Sequence, residues 1–245
     1  IGHDGEALVP GISVSHETGA LIQRLAERHG EVKIRLTSTD ECQPMTSWNV
    51  VGDLPGSREP QDIVMLGSHY DGHDISQGAE DPASGVVAVL EAARLLGRYA
   101  PPLPCTVRFV MWGIEEIGLL GSEAYVEDHA EELDQVRFYL NMDSAGAKSN
   151  VRDIVLNEWP PLQALMTRWG REMAHEFAVG QRTSAHSDHF PFFMAGVPTG
   201  GMQAAEPSLA GRGYGHTQYD TVDKVELACL REASALAARL ALRIA

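Results

Sequence analysis

The chain has 245 residues, 44% of them apolar, enough for one large α/β domain with a full core. No apolar run approaches the roughly 18 residues of a membrane-spanning helix, and the formal net charge of −15 argues against nucleic acid or an anionic membrane as partner. Cys42, Cys105 and Cys229 lie far apart without zinc-ribbon spacing, and Cys105 and Cys229 read as core thiols.

In chain order, residues 1–12 are rich in Gly, Pro and Ala and show little period. Residues 13–29 predict a helix with Leu21, Ile22, Leu25 and Ala26 on one face and Gly30 as its stop. Residues 32–36 and 48–54 alternate as strands and are expected to pair antiparallel across the polar loop 37–44. A buried strand follows at 63–67, then a helix at 82–96 opening on Pro82, a strand at 106–112 and a helix at 117–133. Strands at 138–142 and 153–156, a helix at 161–177, a helical turn at 192–195 and a strand at 197–202 come next. Loop 203–215, rich in Gly and Ala, is expected to line a pocket. Val222, Val225, Cys229, Ala233, Leu236 and Leu240 mark the last helix. Strands alternating with helices predict an α/β fold, a three-layer α/β/α sandwich with a mixed central sheet.

Chemistry concentrates at predicted strand ends and in late loops: His69 and Asp71, Asp81, Glu115 and Glu116, Asp143, and His216. Each has an ordinary reading alone. Asp81 before Pro82 suits a helix cap, Glu115 and Glu116 favour a helix dipole, and His216 could be a loop histidine. In open α/β sheets, however, the carboxyl ends of strands form the ligand crevice. Two histidines and several carboxylates meeting there are what a pair of zinc ions needs. Each ion takes about four N or O ligands, and one carboxylate can bridge ions roughly 3.5–4 Å apart. A spare glutamate could then move protons.

These residues, in this order, resemble the double-zinc aminopeptidase family, which also contains glutamate carboxypeptidase and carboxypeptidase Q. The resemblance rests on His69-x-Asp71, Gly78-x-x-Asp81-x-x-Ser84-Gly85, Glu115-Glu116 with Gly118 and Gly121-Ser122, Asn141-x-Asp143, Ser187-Asp188-His189, and His216-Thr217-x-x-Asp220-Thr221. The stretch Asn49 to Gly56 looks like the strand that opens the family's main catalytic run. The resemblance implies the zinc exopeptidase fold and two Zn2+ per chain. Asp81 would bridge, His216 and Glu116 would complete one position, and His69 and Asp143 the other. Glu115 would be the general base toward a metal-bound hydroxide, and Asp71 would orient His69. Ser187, Asp188, His189 and Asp220 look like supports.

The implied activity is hydrolysis of a peptide bond at a chain end, an aminopeptidase first. The same resemblance leaves open a carboxypeptidase or dipeptidase. Farther off stand a transferrin-receptor-like binding domain and a single-zinc glutaminyl cyclase-like transferase. Expected partners are a peptide substrate and a second copy of the chain in a homodimer, with neither nucleic acid nor a membrane segment. Placement outside the cytoplasm, secreted, periplasmic or extracellular, follows from the resemblance alone. Residues 7–14 look like the last strand of a protease-associated domain, so that 1–12 would be a remnant of that domain and 13–245 the catalytic domain. Two local departures stand out. The tyrosine that precedes the final histidine in glutamate carboxypeptidase is replaced by Gly215, with Tyr214 one position farther off. His73-Asp74 and Gln77-Gly78 resemble carboxypeptidase Q, whereas Asp143 follows the aminopeptidase pattern.

Overall fold

The structure, a computed structural model, describes residues 11–37, 39, 43–149, 151–204 and 213–245. The chain divides into two compact units, residues 1–46 and 47–245. In the first, α1 (His16–His29) is capped by Ser15, whose hydroxyl accepts the Thr18 N–H, and stops at Gly30, φ 77°. Residues 32–36 form no strand. Their alternation is genuine, but alternation does not choose a partner, and the expected pairing with the next strand is replaced by another. Most of the segment read as a domain remnant, and Cys42, fall outside the described residues.

The described residues of the second unit form seven strands, β1 (Val50–Leu54), β2 (Glu59–His69), β3 (Cys105–Trp112), β4 (Val136–Asn141), β5 (Arg152–Leu156), β6 (Phe177–Gln181) and β7 (Thr199–Ala204). They lie in the order β1-β3-β2-β4-β7-β5-β6. The centre, β3-β2-β4-β7, is parallel. β1 runs antiparallel to β3 and β5 antiparallel to β7, so the sheet is mixed, as expected.

Alternation along the central strands divides the core. Val64 and Leu66 of β2 face one way, with Val107 and Leu140, and pack with residues of α2 (Ser84–Tyr99), α4 (Pro160–Met173) and α6 (Leu227–Ile244). Ile63 and Met65 face the other way, with Val110 and Trp112, and pack with residues of α3 (Leu120–Asp128) and α5 (His189–Met194). The result is three layers. No described helix is long and apolar enough to cross a membrane.

Three further elements depart from the sequence reading. The helix expected at 117–133 begins only at Leu120, because Gly118 (φ 138°) and Leu119 (φ 62°) occupy left-handed backbone. The helix expected to reach Phe177 ends at Met173, where Ala174 turns left-handed at φ 48° and frees Phe177–Gln181 to become β6. A short π-helical turn, Ala79–Ala83, precedes α2, and Asp81 within it has extended backbone.

The register positions the site. His69, the last residue of β2, lies beside Trp112, the last of β3, and Gly67 lies beside Asn141, the last of β4. The three carboxyl ends therefore open at one edge, where their following loops meet.

Candidate active site

Asp81 stands between two imidazoles. Its Oδ1 is 3.1 Å from His69 Nε2 and its Oδ2 is 3.3 Å from His216 Nε2. His69 Nε2 is also 3.2 Å from Asp143 Oδ1, and His216 Nε2 is 3.1 Å from Glu116 Oε2. His69, Asp81 and Asp143 thus form one cluster of ligand-type atoms, and His73, Glu116 and His216 a second, with the atoms of each within 4.8 Å of one another. The sequence reading gave His73 no role. Its signal was the His69-x-Asp71-x-His73 spacing within one loop.

Local structure aims each group. The Asp71 carboxylate accepts the backbone N–H of Glu115 at 3.0 Å and of Glu116 at 3.2 Å, which fixes the turn after β3. Its contact with His69 runs chiefly through its own carbonyl, 2.9 Å from Nδ1, while its carboxylate stays 3.8 Å away. Asp71 therefore holds the glutamate pair as well as the histidine. The buried Asp220 carboxylate accepts the N–H of Glu80 at 2.6 Å and of Asp81 at 3.1 Å. Gly215 is required by close approach: a Cβ there would stand 2.7 Å from Asp81 Oδ2. His216 itself has φ 59°, a left-handed conformation that costs a non-glycine residue about 1 kcal/mol and is tolerated mostly at functional sites.

A polar relay orders Asp143. Trp112 Nε1–H donates to Tyr139 Oη, Tyr139 O–H to Asn141 Oδ1, Asn141 Nδ2–H to Ser187 Oγ, and Ser187 O–H to Asp143 Oδ2, over distances of 2.6–2.8 Å. Beside it, Ser122 O–H donates to Asp188 Oδ1 at 2.6 Å. Tyr214 is engaged otherwise. Its N–H donates to the buried Glu80 carboxylate at 2.9 Å, and Lys224 Nζ sits 5.5 Å from its ring centroid.

The electrostatics are those of crowded carboxylates. Burial, then the charge of Asp143, pushes Glu115 up to about 9. Burial would also raise Asp81, but contacts with His216 and His69 outweigh it and hold that carboxyl well below the usual range. His69 is raised well above the ordinary histidine value: burial opposes this, and the contacts with Asp143, Asp71 and Asp81 prevail. Asp81 Oδ1, Glu116 Oε1 and His73 Nε2 are buried atoms without a hydrogen-bond partner among the described residues. Unpaired buried polar atoms cost about 1–3 kcal/mol each. Imidazole nitrogens and carboxylate oxygens converging in two groups around one shared carboxylate are the donor set of paired divalent cations of the zinc type. The residues present fit such a pair.

A cavity of about 320 Å3 opens over Asp81, Glu115, Asp143 and His216. Its lining also includes Val155, Asn157, Arg182, Met202 and Gln203. Most of loop 203–215, expected to line it, lies outside the described residues.

Comparison with known proteins agrees with this geometry. The chain is 34% identical over 158 residues to leupeptin-inactivating enzyme 1 of Streptomyces exfoliatus, covering 64% of this chain and 36% of that protein. It is 30% identical over 202 residues to a probable leucine aminopeptidase 2 of Aspergillus oryzae, covering 78% and 40%. The crystal structure of a zinc aminopeptidase from Bacillus subtilis superposes with a TM-score of 0.68 at 27% identity, covering 78% of this chain and 48% of that one. The chain thus spans about two fifths of the length of these curated relatives. The profile of peptidase family M28 matches residues 49–241, which take in the sheet, the shared aspartate and both clusters: the chain belongs to peptidase family M28.

Proposed function

We propose that this protein is a zinc-dependent exopeptidase that removes residues from the amino end of peptides. One observation carries the reading: Asp81 offers one carboxylate oxygen to each of two histidine-and-acid clusters, with Glu115 in the same cavity. The aminopeptidase names of the Aspergillus oryzae and Bacillus subtilis proteins support the choice of chain end. His69, Asp143 and Asp81 would hold one zinc, and His216, Glu116 and Asp81 the other. When bound, such a pair supplies Lewis acidity toward the scissile carbonyl and acidifies water.

The chain's own groups do the rest. Glu115, which the charge of the bound cations would keep ionised, takes a proton from the attacking water as the water oxygen bonds to the carbonyl carbon. It returns that proton to the amide nitrogen as the C–N bond breaks, releasing the terminal residue as an acid and the shortened peptide as an amine. Asp71 fixes Glu115 in place through the main chain. The relay from Trp112 to Ser187 keeps Asp143 oriented. The cavity wall receives the terminal side chain.

The test is Glu115→Gln, with zinc content measured alongside turnover of peptides carrying free or acetylated amino ends. Expected are two zincs per chain, turnover lowered by about 10²–10⁴, and wild-type cleavage restricted to free amino ends. Full activity in Glu115→Gln, or wild-type cleavage of acetylated peptides only, would overturn the reading.

A further inference from the structure

We propose that His73 is an additional protein ligand of the zinc position formed by His216, Glu116 and Asp81, so that the two positions are chemically unequal. The inference rests on the two-zinc reading above and adds a residue that reading does not use.

His73 Nε2 lies 2.9 Å from Glu116 Oε2, the same oxygen that His216 Nε2 approaches to 3.1 Å. Yet among the described residues Nε2 makes no hydrogen bond and is shielded from solvent, although 37% of the side chain is exposed. At this distance the in-plane direction of Nε2 misses the oxygen, so the two atoms lie side by side without one donating to the other. Bonds of about 2.0–2.1 Å at tetrahedral angles separate neighbouring ligand atoms by roughly 3.3 Å. The contacts around this cluster, 2.9, 3.1 and 3.3 Å, fall at or slightly below that spacing.

The ring is placed by the fold. Its centroid is 4.4 Å from that of His216, edge to face. The loop carrying it is tied to the loop after His216 at two points: Gln77 N–H donates to the Asp220 carbonyl at 3.2 Å, and Val222 N–H donates to Gln77 Oε1 at 2.9 Å. A mere surface contact between loop histidines would need neither the buried Nε2 nor the shared oxygen.

With His73 included, this position has two imidazoles and two carboxylates, a complete tetrahedral set. The other, with His69, Asp143 and the shared Asp81, has three protein ligands and keeps room for a small molecule. The first should hold zinc more tightly, since it has four protein ligands, two of them imidazoles, against three with one imidazole at the other.

The experiment removes zinc from the protein with a graded chelator and measures stoichiometry and affinity for the wild type, His73→Ala and His73→Gln. Zinc X-ray absorption counts the imidazoles. Melting of the metal-free proteins checks that the variants fold. In the wild type we expect two steps of zinc loss and three imidazoles shared between two zincs. In both variants the tighter step should weaken at least about tenfold and the count should fall to two. Variants that keep both affinities and the imidazole count of a two-zinc wild type would overturn the role of His73 alone. A wild type that takes up fewer than two zincs would overturn the two-zinc reading, and this inference with it.

Discussion

Asp220 is a residue the chemistry never touches and yet depends on. Its buried carboxylate is the acceptor for the amides of both Glu80 and Asp81. In Asp220→Ala the buried Glu80 amide loses its partner at about 1–3 kcal/mol, and the partly buried Asp81 amide loses its anchor. We expect a clear drop in melting temperature together with weaker zinc binding; wild-type values for both would contradict this role. Asp188 illustrates a different cost. Burial pushes its carboxyl up to about 7, and the Ser122 hydrogen bond offsets only part of that rise. A folded-state value above the ordinary 3.8 means that the contribution to stability is complete below that pH and is lost as pH rises toward 7. In metal-free protein, Asp188→Asn should therefore gain on the wild type between about pH 4 and pH 7, by up to ~4 kcal/mol. Urea titrations at stepped pH measure the difference, and parallel pH profiles would exclude it.

At the scale of elements, α2 is held against the end of β4 with no spare room. A Cβ on Gly85 would come within 1.9 Å of the carbonyl oxygens of both Met142 and Asp143. These are backbone atoms, so Gly85→Ala must drive the helix from the sheet or shift the Asp143 loop. A loss of about 2–3 kcal/mol is expected, readable as a lower denaturation midpoint; an unchanged midpoint would show that the loop yields freely. In the same layer, the fully buried Arg152 of β5 reaches Glu232 of α6 and donates to the carbonyls of Ala147 and Cys229. Arg152 and Gly85 secure their elements in different ways, one by charged hydrogen bonds and the other by the absence of a side chain.

At the scale of the second unit, the site draws together the loops after β2, β3 and β4 and the loop carrying His216, segments separated by up to 147 residues in sequence (His69 to His216). Cations bound there would stabilise only the folded arrangement. At metal concentrations about a hundredfold above Kd this adds about 2.7 kcal/mol, worth roughly 5–10 °C in a domain of this size. Chelation should lower the melting temperature by that amount and zinc should restore it; a melting temperature indifferent to both would contradict a metal at the centre of the fold.

The sequence by itself determined the layers and the residue types that meet at the site. Apolar runs, helical stripes and the identities of His69, Asp81, Glu115, Glu116, Asp143 and His216 are local properties, and hydrophobic period and residue type report them directly. What it left open was pairing and aim. The partner of β1, the early end of α4, the place of His73 beside His216 and the service of Asp71 to the Glu115 and Glu116 amides were decided only by the tertiary structure. Alternation states that a strand has two faces but not which neighbour it joins, and a histidine's identity does not state which oxygen its ring will meet. Those outcomes depend on contacts between residues far apart in the chain, which exist only once the sheet has brought its strand ends to one edge.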